Sequence, residues 1–326
     1  MTTVIPQVNA ALQVASVIAN QRLCREHYRL TICVRGFDGA APGHFVHVCP
    51  TPIDSSYREF AWSADPSGLH QGWLDELRAP MLRRAFSIAG RRNTAKGQEI
   101  EVIYRVVGTA TQWMESLRHG NDISVLGPLG NTFPISKEKP NAWLVAGGVG
   151  LPPMLWLAET LVKPEKSVVA FCGVRSRELF PLTLDESAPP SHDAESAERS
   201  AIEFARHGAL AVISTDDGSL GFHGHIGAAL SAYHRSNPVE CDRLVVYACG
   251  PERMMHFVAD YCVTRGIECY LCMERNMACG TGLCQSCVVP IRDGSALDGW
   301  RYRLCCTDGP VFPAEVILWE TPTGGK

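Results

Sequence analysis

Cys279, Cys284 and Cys287 form a C-x4-C-x2-C array, and Cys305 and Cys306 follow after a longer gap. This is the plant-type spacing for a [2Fe–2S] cluster held by four thiolates. Between the first two cysteines, Gly280 and Gly282 let the backbone wrap closely round an inorganic core and turn N–H groups toward its sulfurs. Those donors offset the charge of the thiolates. A structural zinc site usually pairs two C-x2-C knuckles, and this block holds one. Spacing alone leaves the fourth ligand as Cys305 or Cys306. Cys269 and Cys272 form a further C-x2-C, but inside the apolar run Cys269-Tyr270-Leu271-Cys272-Met273, which reads as buried small hydrophobes. Seven of the 14 cysteines lie beyond Glu268, and that uneven placement in a long chain argues for a metal cluster over a secreted disulfide framework.

A second chemistry sits upstream. Gly147-Gly148-Val149-Gly150 follows an apolar strand and opens a helix, where backbone N–H groups can receive a pyrophosphate. It is short of a full G-x-G-x-x-G fingerprint and is equally the pattern of a closely packed turn. Tyr247-Ala248-Cys249-Gly250-Pro251 ends another strand and also runs into a helix. Two glycine turns at the carboxyl ends of strands in one parallel sheet could line a single crevice, with Cys249 either beside a bound nicotinamide or a buried structural cysteine.

The elements that must position these groups fall into three segments. Residues 1–137 carry short alternating runs, such as 30–34 and 99–107, punctuated by glycines, and predict an antiparallel β-barrel. Residues 1–21 read as an edge segment and first strand. Residues 54–80 break the rhythm as an inserted loop with a short helix. Residues 138–267 alternate strands (143–146, 167–172, 210–214, 243–248) with helices, the first over 153–161. That alternation predicts a doubly wound parallel sheet. Residues 185–200, rich in Ser, Pro, Ala and acids, read as a mobile surface loop. Residues 268–326 form a small cluster domain.

Composition agrees with a multi-domain globular protein: 326 residues, 46% hydrophobic, 20% charged, net charge −4. That length and balance exclude disorder and coiled coil, and the acidic balance argues against nucleic acid as the main partner. The longest uncharged inner run, residues 140–158, carries three glycines and two prolines within 147–153, so no membrane span is expected. The uncharged start lacks a basic n-region, and the expected compartment is the cytoplasm.

Ahead of the sheet, Leu82-Arg83-Arg84-Ala85-Phe86-Ser87-Ile88 resembles the flavin-binding R-P-x-S motif of the ferredoxin–NADP reductase superfamily. Ile103-Tyr104-Arg105 and Gly108-Thr109-Ala110-Thr111 resemble its second flavin contact region. Gly127-Pro128-Leu129-Gly130-Asn131, Thr215-Asp216-Asp217-Gly218-Ser219, Met277-Ala278-Cys279-Gly280-Thr281-Gly282 and Cys306-Thr307-Asp308-Gly309-Pro310-Val311-Phe312 narrow the resemblance. Together they are similar to the electron-transfer subunits of NAD-dependent (class 1B) dihydroorotate dehydrogenases. The resemblance runs from about residue 30 to 312. Ala85 departs from the usual proline and Ala110 from the usual glycine, where an alanine would be strained if the site needs φ > 0.

The resemblance implies that the fourth ligand is Cys306, beside a non-ligating Cys305. It implies FAD held by Arg84 at a phosphate, by Ser87 near the isoalloxazine and by Thr111 at a phosphate or the ribityl chain. Ala85, Phe86, Ile103, Tyr104, Arg105, Gly108 and Ala110 complete that site. NAD would lie on Gly147, Gly148, Gly150, Gly250 and Pro251. The partner would be an FMN-containing dihydroorotate dehydrogenase catalytic subunit, in a heterotetramer of two copies each. Electrons from dihydroorotate would cross the cluster to FAD and leave to NAD⁺, in pyrimidine biosynthesis. Other readings are a reductase serving an oxygenase, a sulfide dehydrogenase or transhydrogenase subunit, and a non-enzymatic redox-sensing subunit. Arg175, Ser176 and Arg177 could receive a 2′-phosphate, while the resemblance favours NAD over NADP.

Overall fold

The computed structural model describes residues 10–49, 82–162 and 166–320. The insertion expected at 54–80 lies outside them. Six strands, β1 (Ala11–Arg22), β2 (His27–Val34), β3 (Phe45–Cys49), β4 (Arg84–Thr94), β5 (Gly97–Arg105) and β6 (Asp122–Leu129), close a barrel in the order β1-β2-β5-β4-β3-β6. Every neighbouring pair is antiparallel. Strand alternation fills it: Leu30, Ile32 and Val34 of β2 point inward against Ile100 and Val102 of β5, all almost fully buried. A short helix, α1 (Thr109–Glu115), links β5 to β6.

The chain then enters a seven-stranded sheet. Its strands are β7 (Asn141–Gly147), β8 (Ser167–Val174), β9 (Leu210–Thr215), β10 (Phe222–His223), β11 (Leu244–Cys249), β12 (Glu268–Cys272) and β15 (Val311–Pro313), in the order β10-β9-β8-β7-β11-β12-β15. All pairs are parallel except β12 with β15. β7 shows the double winding. Ala142, Leu144 and Ala146 face α2 (Leu151–Leu161), while Trp143 and Val145 face α4 (Ile226–Ser236) and α5 (Glu252–Val263). A short α3 (Ile202–Ala205) precedes β9. Between β12 and β15 the chain forms a hairpin of β13 (Val288–Arg292) and β14 (Trp300–Leu304). β12 and β15 thus belong to the parallel sheet, although both lie within the segment assigned by sequence to the cluster domain.

Residues 185–200 are more tied down than their composition suggests. Asp185 and Asp193 cap local turns through Ser187 and Ser191, Asn237 Nδ2 donates to the Glu195 carbonyl at 2.6 Å, and Ala194 is fully buried. No helix among the described residues is long and apolar enough to cross a membrane.

Helix α2 joins the two large bodies. Nine of its 11 residues are buried, because one face lies on the sheet and Trp156 reaches the barrel core. A helix apolar on all sides is what a position between two cores requires. Trp156→Ala should therefore lower the unfolding free energy by about 3–5 kcal/mol, measured by denaturant titration, with Trp156→Phe losing much less.

Candidate functional site

A cleft of about 1710 Å³ runs along the junction of barrel and sheet. Pockets for one drug-sized ligand are roughly 300–1,000 Å³, so this one has room for two nucleotide ligands. Residues 84–87, 103–105, 108–111, 147–150 and 249–251 all line it. It therefore brings together every residue expected from sequence to meet FAD or NAD.

On the barrel side the paired arginines divide. Arg83 turns inward, its Nη2 donating to Ser124 Oγ at 2.6 Å and its Nη1 to the Ser124 carbonyl at 3.1 Å. Arg84 is exposed, donates to the Leu82 carbonyl at 2.9 Å, and has no carboxylate partner among the described residues. Its guanidinium is free to take an anion. Ala85 keeps the β-strand without proline's preset φ, paired across to His47. Ala110 is an ordinary helical residue of α1 with no positive φ, so the strain conceivable at that position does not arise. Tyr104 is 1% exposed, bonded to Asn20 and stacked on Tyr28, and it backs Phe86 edge-on. Burial pushes its hydroxyl above the ordinary range. Arg105 is held at the cleft rim by Glu26 at 2.6 Å. The Thr111 hydroxyl is taken up locally: it accepts from the N–H of Val107 (2.9 Å) and Gly108 (3.2 Å) and donates to the Gly108 carbonyl. Thr111 therefore shapes the turn into α1.

On the sheet side the two glycine turns press on each other. A Cβ on Gly150 would lie 2.0 Å from the Cys249 carbonyl oxygen, and one on Gly147 would lie 2.7 Å from Pro251 Cδ. These two glycines are demanded by packing. Gly148, at φ +52 with nothing within 4 Å of its Cβ position, is the one that leaves open space. Cys249 and Cys272 are paired residues of β11 and β12. A hydrogen bond with Cys249, together with burial, pushes the Cys272 thiol well up.

Sequence reasoning missed several cleft residues. Leu82, Val107, Val149 and Phe257 line the cleft yet are 59, 73, 39 and 37% exposed. Apolar side chains left bare inside a cleft fit flat ring systems. Residues 272–277 form its floor, with Arg275 paired to Glu252 at 2.9 Å. Their position just before Cys279 was the available signal.

The floor leads directly into the cysteine loop. Cys279 Sγ accepts the N–H groups of Thr281 and Cys284 at 3.4 Å each. Burial pushes its thiol up, but the backbone donors of Cys284 and Thr281 together outweigh it and bring it down to about 6. The thiolate is the ligating form, and this site favours it. Cys284 bonds Ser286 at 3.1 Å, which lowers its thiol as well. Cys306 is pushed up to about 12 by burial and by a shared hydrogen bond with Cys287, against a backbone donor from Gly282. Cys305 turns away, its Sγ donating to the Met273 carbonyl at 3.2 Å. Among the described residues no trio of His, Cys, Asp or Glu is gathered for a single ion. The thiols form two linked pairs, Cys279 with Cys284 and Cys287 with Cys306. Two pairs suit a core of two irons, each taking two thiolates.

The comparisons with known proteins agree with that geometry. A family model described as the iron–sulfur cluster binding domain of dihydroorotate dehydrogenase B matches residues 274–318, and an oxidoreductase NAD-binding domain matches residues 144–260. The dihydroorotate dehydrogenase B (NAD(+)) electron transfer subunit of Geobacillus kaustophilus (strain HTA426) is 33% identical over 306 residues, covering 92% of this chain and 97% of that one. The same subunit of Bacillus caldolyticus gives the same figures. This chain belongs to that family of electron transfer subunits. Among solved structures, an NADH-dependent reduced ferredoxin-NADP oxidoreductase shares the fold with a TM-score of 0.68 at 21% identity, over 94% of this chain and 90% of that one. The ferredoxin reductase of carbazole 1,9a-dioxygenase follows at 0.55 and 16%, over 80% and 68%.

The two adjacent cysteines can be separated. Cys306→Ala should remove bound iron and the cluster's visible absorption. Cys305→Ser, whose hydroxyl can still donate to Met273, should keep both. Iron retained by the first and lost by the second would exchange their roles.

Proposed function

We propose that this chain is the electron-transfer component of a dihydroorotate dehydrogenase, taking electrons from a catalytic partner subunit and delivering them to NAD⁺. The observation that carries the reading is continuity: residues 272–277 are both the floor of the nucleotide cleft and the lead into the cysteine quartet. When bound, a flavin exchanges hydride with nicotinamide and single electrons with an iron–sulfur cluster, and so can join two-electron and one-electron carriers.

The chain's own residues supply position and charge. Arg84 offers to the FAD phosphates a guanidinium with no carboxylate partner among the described residues, and Ser87 presents its hydroxyl on the same strand. Phe86, backed by Tyr104, with Leu82 and Val107, gives the flavin an apolar bed. Thr111 holds the 108–111 turn in shape. Gly148 leaves the approach for the NAD pyrophosphate, while Gly147, Gly150, Gly250 and Pro251 lock the two turns together. Cys249 stands at the nicotinamide end of the cleft. Asp216, also lining the cleft, is suited to a ribose hydroxyl and repels a 2′-phosphate, which supports NAD over NADP. Cys279, Cys284, Cys287 and Cys306 would hold the [2Fe–2S] core.

The three-module division at 137 and 267 belongs to the same proposal, with β12 and β15 stitching the third module onto the second. So do an FMN-containing partner and two copies of each subunit. Leu283, Leu297 and Tyr302 are exposed apolar residues on the cluster module, and they support docking of the partner there. No disulfide forms among the described residues, which supports a reducing compartment such as the cytoplasm.

The test is reconstitution with an FMN-containing catalytic subunit. Dihydroorotate-dependent NAD⁺ reduction should require both chains and should vanish with Cys284→Ala, while NADH still bleaches the flavin of that variant. A chain that oxidises NADH but never couples to dihydroorotate would leave a reductase and remove the assigned substrate.

A further inference from the structure

His47 of β3 is fully buried, yet neither ring nitrogen has a hydrogen-bond partner among the described residues. Its neighbours make that unusual. Arg83, close enough to be a partner, addresses the His47 backbone carbonyl at 3.4 Å and commits its other bonds to Ser124. On the β3–β4 pair, His47 stands opposite Ala85 and Phe45 opposite Ser87, so the imidazole shares the β4 face of Ala85 and Ser87, the face opposite that of Arg84 and Phe86. On its other side it meets the cysteine loop. A Cβ on Gly280 would lie 2.7 Å from His47 Cε1, 2.9 Å from Nδ1 and 3.0 Å from Nε2. Gly280 is therefore glycine for two reasons, its φ of +74 and the ring pressed against it. A neutral imidazole carries one donor and one acceptor, and a buried donor without an acceptor is costly enough to need an explanation. The acceptors that belong beside Cys279 and Gly280 are the sulfurs of a cluster.

We propose that His47 is a positioning residue that bridges the flavin strand and the cluster loop, donating its ring N–H to a cluster sulfur, thiolate or sulfide, and so raising the cluster's reduction potential. A donor at sulfur stabilises the reduced cluster, which carries one more negative charge, over the oxidised one. The inference rests on the assignment of the cluster to Cys279, Cys284, Cys287 and Cys306.

The experiment is an EPR-monitored redox titration of the cluster-loaded full chain, with iron content and the flavin couple read in the same samples. The variants are His47→Leu, which fills space without a donor, and His47→Gln, which restores an N–H. In His47→Leu the equilibrium constant for cluster reduction should fall about tenfold, a shift of about 59 mV for one electron. The flavin couple should stay in place, and His47→Gln should recover most of the shift. If His47→Leu loses its iron, His47→Gln decides: iron held at the wild-type potential supports the donor, and iron lost overturns it in favour of ring packing. An unchanged potential in His47→Leu also overturns it. A wild-type chain without iron or a [2Fe–2S] signal would overturn the cluster assignment together with it.

Discussion

Gly130 and Pro310 meet so closely that a Cβ on Gly130 would lie 2.6 Å from Pro310 Cδ and 2.9 Å from the Gly309 carbonyl oxygen. Beside them Asn131 closes the join. Its Nδ2 donates to the carbonyls of Asp308 and Val311, its Oδ1 accepts from Val311 N–H, and its own N–H donates to Gly309. A carboxamide that satisfies three backbone groups of one distant segment fixes orientation as well as distance. The end of the barrel is thereby fastened to the segment that follows Cys306. Gly280 against His47 makes a second such contact, and Gly147 against Gly250 and Pro251 a third. Each is a place where a glycine lets a ring or a neighbouring turn press directly on the chain, and together they set barrel, sheet and cysteine loop in one arrangement around the cleft.

The charge in that arrangement is handled by backbone. Thiolates near one another repel, and burial raises the cost of ionising them. Thr281 and Cys284 direct N–H groups at Cys279, and Gly282 directs one at Cys306. Positive φ at Gly280 and Gly282 is what turns the loop so that those donors face inward. Cys306 is buried and pushed up, so metal must displace its proton while Cys279 is already disposed to ionise.

Much of this was legible in the chain. Strands β2, β5, β7, β8, β9 and β11 lie within two or three residues of where alternation and apolar runs place them, because the barrel strands bury one face and the sheet strands are apolar runs buried on both. The cysteine spacing is local chemistry and reads directly. The motifs 127–131 and 306–312 were visible as separate signatures, but their contact through Asn131 joins residues about 180 positions apart and leaves no periodic trace. For the same reason nothing in the sequence singled out His47 within the segment read as a barrel. Thr111 lines the cleft where it was expected, and the further work of its hydroxyl, bonding its own turn three residues into a helix, was not read from the sequence. For Gly147 and Gly150 the sequence offered both a phosphate turn and a closely packed turn; both line the cleft, and the close packing against Pro251 and the Cys249 carbonyl is visible only in three dimensions. That β12 and β15 join the seven-stranded sheet was not legible, because sheet membership depends on partners, and β15 is three residues long.

The central claim is that electrons pass between the cysteine quartet and NAD⁺ through the cleft of this one chain. The most direct measurement is to reduce flavin and cluster anaerobically with dithionite, add excess NAD⁺, and follow the cluster's EPR signal while NADH forms. Loss of the signal together with flavin reoxidation is the predicted result. A flavin that reoxidises while the reduced cluster persists would contradict it.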